Sequence, residues 1–483
     1  MLNRTDIFET VTGSDRLRKP VNIAFLLCVT AFAAWLIGSM GIIAGIALIM
    51  LPLIIVYLNF LFRSPIIGLY TAIAFGFVLL GLARYIKGVQ VGLAMDCILA
   101  LTYIALFFNK FTKKIDWTPA KKEITFFAVI WFGYSLFELL NPEARSLEAW
   151  FSGRGISLYM LLLVPITLLF VDTNQKLNTI FYVWGFFSLL VSLKGIMQNI
   201  WGVDQWEKAW LDEGNAATHI LFGKLRSFSF LSDAGQFGAN QAYSAVVALI
   251  FSMVQKDWRK KLFFIVVAIL GLYGMVISGT RGAMSVPIAG FMAFFILRKN
   301  LKVMIVGFSI LLMVFVFFKY TTIGQGNDQI RRMRTAFDPN DASLQVRLEN
   351  QKKLKVYLAS RPFGGGIGLG GVKAKKYLPN AYLSQIATDS WYVLVWVEQG
   401  IVGLLLHLFL LFYVITKSSF RIMFRIRDPV LKIKMAALTA GMFGVMVASY
   451  GNAVLGQMPT SILIYISMAV ILNSEKYDQP LLI

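Results

Sequence analysis

Four side chains stand where a charge needs a reason: Arg226, Arg281, Arg347 and Asp389. Arg281 lies in Ile-Ser-Gly-Thr-Arg-Gly-Ala, residues 277–283, between apolar runs at roughly 262–276 and 284–297. A charge in such a setting must be paired or face water. The small residues Ser278, Gly279, Gly282 and Ala283 let another backbone or a ligand come close. Two roles fit Arg281: holding an anion at the outer edge of a membrane, or snorkelling to lipid headgroups. Arg226 opens a second stretch of aromatic and small residues, Arg-Ser-Phe-Ser-Phe-Leu-Ser-Asp. Arg347 falls on a helix expected from about 342 to 360 with Asp341 as its cap. Leu344 and Leu348 share one face of that helix, with Arg347 beside them. Arg331, Arg332 and Arg334 come just before and read as solvated loop charges. Asp389, in Ala-Thr-Asp-Ser-Trp-Tyr, stands at the outer edge of an apolar helix. It either pairs with an arginine or takes a proton from an attacking hydroxyl. Glu398 is about 14 Å deeper on the same helix and on the opposite face, which suits a structural partner rather than the second half of a carboxylate pair. His219 is a more distant candidate base. The glycine-rich run from Arg361 to Gly371 has no strand before it and no helix opening from it, so it reads as a flexible, close-packed turn and not a phosphate loop. Trp201, Trp206 and Trp210 fit either sugar stacking or an interfacial aromatic belt.

The elements that position these residues are membrane spans. Of 483 residues, 58% are hydrophobic and only 15% charged, against about 25% charged in a soluble protein. The apolar residues come in runs near the length that crosses a bilayer as a helix. The expected fold is all-α: one polytopic helical membrane domain over 1–483, with 12–14 transmembrane helices and fourteen preferred. A first polar loop spans 198–235. A large, partly helical loop spans 319–386, between the eleventh and twelfth spans. The roughly twenty polar residues at the N-terminus precede a retained first span rather than a cleaved signal.

The net charge of +21 does not call for nucleic acid. Lysine and arginine gather in short loops at Arg63, Lys110–Lys122, Lys176, Lys256–Lys261, Arg298–Lys302 and Lys417–Lys434, as the positive-inside rule requires of cytoplasmic loops. Both termini are then cytoplasmic, and both long polar loops fall with Arg281 on the opposite face. Arg84, Lys87, Arg145, Arg154 and Lys194 are exceptions on that face. The large loop carries twelve Lys/Arg against four Asp/Glu, a positive surface suited to an anionic ligand. Cys28 and Cys97 lie in apolar runs, and two histidines cannot build a histidine-rich metal centre. No Walker-type loop is present. Neither metal nor cofactor is expected.

Taken together, the order of motifs resembles one family. The motifs are Ser-Gly-Thr-Arg-Gly, an arginine before a small and aromatic turn, and a large loop with Ser343…Arg347…Pro362-Phe-Gly-Gly-Gly-Ile-Gly. A polar pair then opens a span containing Glu398-Gln-Gly-Ile-Val-Gly. This looks like the superfamily of O-antigen ligases and Wzy-type polymerases of bacterial inner membranes, most clearly from about 226 to 403. The resemblance implies a metal-independent, inverting glycosyl transfer at the periplasmic face. The implied donor is a glycan on undecaprenyl diphosphate, and the acceptor is a glycan or lipid A core. Arg226, Arg281 and Arg347 would hold the diphosphate, since guanidinium forks match phosphate geometry and keep their charge. Arg281 and Asp389 would be catalytic. Ligases of the family usually show His-Asn where this chain has Asp389-Ser390, which leaves Asp389 as the base. It favours a polymerase of surface-polysaccharide repeat units over ligation to lipid A core or protein. Other polysaccharide-assembly proteins are possible partners. A lipid-linked oligosaccharide flippase is the alternative from another class.

Overall fold

The computed structural model describes residues 20–86, 92–112, 115–221, 223–337 and 341–478. Lys87, Lys113, Lys114, the start of the fourth span and the polar N-terminus lie outside these. The described chain is mainly helical, with almost no strand. Its helices are α1 (Pro20–Met40), α2 (Ile42–Arg63), α3 (Ile66–Leu82), α4 (Gly92–Thr112), α5 (Glu123–Phe137), α6 (Leu147–Gly153), α7 (Gly155–Phe170), α8 (Asn174–Trp201), α9 (Gln205–Trp210) and α10 (Ala216–His219). They continue with α11 (Ala234–Ser252), α12 (Trp258–Ile277), α13 (Ser285–Leu297), α14 (Leu301–Tyr320), α15 (Asp328–Arg334), α16 (Ala342–Leu358), α17 (Trp391–Phe424), α18 (Pro429–Ala448) and α19 (Thr460–Leu472). One two-residue hairpin, Ile220–Leu221 with Lys224–Leu225, is the strand pairing among the described residues.

Among the described residues, seven helices are long and apolar enough to cross a membrane, and α6 with α7 would make an eighth as a span bent by 41°. The other expected spans fall on shorter apolar helices or on α11. Helix α14 turns Ile305, Val306, Leu312 and Met313 outward and buries little beyond Gly307. A soluble protein does not present such a face; lipid tails are its natural contact. Helix α11 is the reverse, with nearly every residue buried despite Gln236, Asn240 and Gln241. Each of those amides finds partners at one end of its side chain. Gln241 accepts from Ser188 and Ser192 at 3.1 and 2.7 Å, and Asn240 donates to Thr460 at 3.1 Å. A central helix needs no lipid-facing stripe, which is why α11 reads as polar by composition.

Loop contacts sort into two ends. At one end Lys417 meets Glu123 at 2.5 Å, Lys434 meets Asn174 at 3.4 Å, Arg421 meets the Leu472 carbonyl, and Lys299 lies over Phe424. These are the basic loops. At the other end lie the two long polar loops and Arg281. The described cations that break the charge rule there, Arg84, Arg145, Arg154 and Lys194, each have partners. Arg84 donates to the carbonyls of Ser229, Leu231 and Ser232, Arg145 pairs with Glu143, Arg154 with Asp96, and Lys194 with Asp204 and Glu207.

Helix α17 is broken at Gly400, whose φ of 66° no L side chain adopts easily. The break frees carbonyls, and in a bilayer these must find donors. Gly365 and Gly366 donate to the carbonyls of Val397 and Glu398 at 2.8 and 2.9 Å, and the Tyr134 hydroxyl donates to that of Gln399 at 2.7 Å. The Gly370 N–H donates to the Glu398 carboxylate at 3.3 Å. The glycine-rich run is thus the plug that fills the broken helix, and Glu398 is part of its seat.

Candidate functional site

Arg226 leaves the small hairpin and crosses to the turn after α12. Its Nε donates to the Ser278 carbonyl at 3.1 Å, and one Nη to the Thr280 hydroxyl at 2.9 Å. A third bond reaches the Thr218 carbonyl at 2.8 Å. All three acceptors are neutral, so its charge is solvated but not cancelled. Burial, then the neighbouring Arg332 and Arg281, push its pKa down to about 10, against the pull of Asp233.

Arg332 comes from α15 and reaches the same turn. Its Nε donates to the Gly279 carbonyl at 2.6 Å. The approach depends on glycine: a methyl on residue 279 would stand 3.2 Å from Arg332 Cδ and Nε and 3.5 Å from Arg226 Cγ. Burial and the nearby Arg281 lower the Arg332 pKa, against Asp341. Its terminal nitrogens meet no acceptor among the described residues. The rest of the basic triplet is local: Arg331 pairs with Asp328, and Arg334 binds the carbonyls of Phe318, Thr321 and Ile323 at the end of α14.

Arg281 opens the short turn before α13. It donates to the Thr335 hydroxyl at 3.0 Å and pairs with Asp341. Asp341 also caps α16, accepting the Leu344 N–H at 3.1 Å. One carboxylate thus tethers the helix that carries Arg347 to the turn that carries Arg281. On α16, Arg347 Nε meets Asp389 Oδ2 at 3.3 Å, just before α17. Both side chains remain partly open to solvent.

A third segment, 449–452, joins these pairs. The Asn452 amide lies against Gly282, and a methyl on Gly451 would stand 3.9 Å from Arg347 Nη1. The amide nitrogen of Asn452 is buried with no hydrogen-bond partner. Nearby, Trp391 N–H and the Ser390 hydroxyl both donate to the Ser449 carbonyl, at 2.9 and 3.3 Å. Thus Arg226, Arg281, Arg347 and Asp389 converge on one end of the bundle from four separate segments. Arg332, Asp341 and Asn452 join them, though sequence reasoning did not single out Arg332 or Asn452 and gave Asp341 only its cap. What places Arg332 is the carbonyl of a glycine fifty-three residues away, and no local pattern encodes that.

His219 stands apart. Its Nε2 accepts the Ala234 N–H at 3.3 Å, so Nδ1 carries the proton and faces the Asn215 carbonyl at 2.9 Å. Trp210 and Phe228 pack on the ring, and burial holds its pKa below the ordinary histidine value. With both nitrogens in use it is a structural residue. Trp201 and Trp206 are exposed, while Trp210 packs under Arg84. The three do not form one sugar platform.

The arrangement can hold a multiply charged anion. Arg226, Arg281 and Arg332 face one another across a glycine turn, with Asp233 and Asp341 as the nearby acids. Burial works against the Asp233 carboxylate, but Lys373 and the Gln236 N–H outweigh it and keep its pKa below the usual range. Compared with known families, residues 265–408 match the model described as O-Antigen ligase. No curated protein matches the chain. The matched segment includes Arg281, Arg332, Asp341, Arg347, Asp389 and Gly400; Arg226 and Asn452 lie outside it. Within this multi-pass membrane protein, the segment 265–408 is thus similar to the O-antigen ligase family.

Proposed function

We propose that the chain transfers a glycan from undecaprenyl diphosphate to an acceptor hydroxyl at the periplasmic face of the bacterial inner membrane, polymerising repeat units of a surface polysaccharide. The observation that carries this reading is the cluster of Arg226, Arg281 and Arg332, whose guanidiniums crowd together with a net positive charge. Asp341 pairs with Arg281 and Asp233 lies near Arg226, so the three cations are only partly balanced until an anion arrives. A lipid-linked diphosphate supplies one.

In the proposed reaction the acceptor oxygen attacks the anomeric carbon, and the bond from that carbon to the phosphate oxygen breaks. Undecaprenyl diphosphate leaves with the electron pair. A single displacement inverts the anomeric centre. Charge grows on the phosphate oxygens as the bond breaks, and preorganised guanidiniums favour that state over the intact donor. The proton of the acceptor hydroxyl goes to Asp389, which Arg347 holds in place at 3.3 Å. The break in α17 and its glycine plug fix the end of the helix that Asp389 precedes.

The test is reconstitution of purified protein in liposomes with undecaprenyl-diphosphate glycan, read on a gel. A ladder from donor alone supports polymerisation. One shifted product, seen only when lipid A core or protein is added, replaces it with ligation. Donor crossing the bilayer without any new glycosidic bond would overturn glycosyl transfer in favour of a flippase.

A further inference from the structure

Away from the arginines, the same end of the bundle carries a cleft of about 450 Å³, within the range that holds small ligands. Glu143, Arg145, Tyr357, Asn380 and Tyr382 line it. Its wall is a stack of three layers. The Arg361 guanidinium lies 4.1 Å from the Tyr357 ring centre, and Tyr382 covers the other face at 4.7 Å with the rings inclined by 22°. The inner layers are fixed. Arg361 Nε donates to Glu143 at 3.0 Å, and its Nη1 to the Tyr357 carbonyl at 2.9 Å. The loop that carries Tyr382 is tied by Gln385 to the Pro379 carbonyl and by Ser384 to the Ala381 carbonyl, each at 2.6 Å. The outer layer is open: Tyr382 is 46% exposed.

An aromatic face held rigid and left open calls for a flat partner with weakly positive hydrogens. Around it stand a carboxylate, a guanidinium and an amide. Glu143 is shared between Arg145 at 3.4 Å and Arg361 at 3.0 Å, so the group carries a single net positive charge and still offers both donors and acceptors. This donor and acceptor set suits hydroxyl groups. A pyranose ring meets both demands, with C–H bonds on its face and hydroxyls on its rim. Tyr357 lies ten residues beyond Arg347 on α16, about 15 Å along the axis.

We propose that this cleft is a glycan-binding subsite that holds sugar rings of the acceptor at a distance from the transfer centre. Its assignment to the acceptor rests on the transfer reading above; its affinity for sugar does not. Binding energy gathered there would position the attacking hydroxyl.

The test uses the full chain in nanodiscs and a defined probe, the glycan freed from the host's lipid-linked donor by mild acid, so that neither lipid nor diphosphate remains. Binding is measured by calorimetry, and transfer separately with intact donor. Expected results are binding by the wild type, about tenfold weaker binding by Tyr382→Ala, and unchanged binding by Arg281→Ala. Tyr382→Ala should raise the acceptor KM and spare kcat, while Tyr382→Phe should behave as wild type. No binding at millimolar probe, or equal binding by Tyr382→Ala, overturns the subsite whatever the transfer assay shows. Tyr382-dependent binding in a protein that transfers nothing leaves the subsite standing and removes the transferase reading.

Discussion

Replacing Arg332 by alanine separates a structural arginine from one held for a ligand. In the ligand-free protein this side chain makes one hydrogen bond, from Nε to the Gly279 carbonyl at 2.6 Å. Losing it costs roughly 0.5–1.5 kcal/mol. Two like charges, Arg226 and Arg281, act on Arg332 or feel its field, and their relief offsets that loss. The net effect on stability is expected within about 1 kcal/mol of zero. Substrate behaves differently. A hydrogen bond to a charged group is worth about 1.5–3 kcal/mol, so removing one phosphate contact should lower kcat/KM by about 10- to 150-fold. The assay is transfer in proteoliposomes with labelled donor, beside thermal unfolding of the same preparations. Arg332→Lys keeps the charge but not the fork and should recover only part of the loss. An Arg332→Ala protein with normal stability and normal kcat/KM would refute the cluster as the diphosphate site. One that fails to fold would return Arg332 to a structural role.

Three other outcomes follow from neighbouring geometry. Asp389→Asn should lower kcat by about 100-fold or more if Asp389 takes the proton, with little change in donor affinity; a mild effect measured at saturating donor would leave it only as the partner of Arg347. Arg84→Ala should destabilise by about 2–3 kcal/mol, because the carbonyls of Ser229, Leu231 and Ser232 lose a shared donor, and denaturant or thermal unfolding reads this without reference to activity. His219 is held neutral, with its folded pKa below the ordinary value near 6.5. The unfolded chain therefore takes up a proton first as pH falls, and stability should drop from about pH 6.5 downward. His219→Gln should flatten that slope when melting is compared across this range.

The all-helical membrane fold was legible because lipid demands long apolar runs, and these show without any tertiary knowledge. Individual span limits were less so. Helix α11 begins at Ala234, five residues ahead of its apolar stretch, because Asp233 caps it by accepting the Gln236 N–H at 2.9 Å and its polar first turns are buried by other helices. Asp341 was readable as a cap, since caps are local, but its bond to Arg281 sixty residues away was not. The glycine-rich run was correctly read as a close-packed turn. Its partner, the break at Gly400, is invisible in a hydropathy pattern because the helix continues on both sides of it. Arg332 looked like one of three solvated charges. Only the fold distinguishes it from Arg331 and Arg334, which bind their own neighbourhood.

The central claim is that guanidiniums hold the donor diphosphate, and single-turnover transfer by Arg281→Ala in liposomes tests it most directly. Undecaprenyl diphosphate released and glycan transferred would be counted against wild type, with protein level and melting temperature matched. The account predicts loss of transfer by about 100-fold or more, with the protein still folded and inserted. Turnover at the wild-type rate would contradict it and place the diphosphate elsewhere.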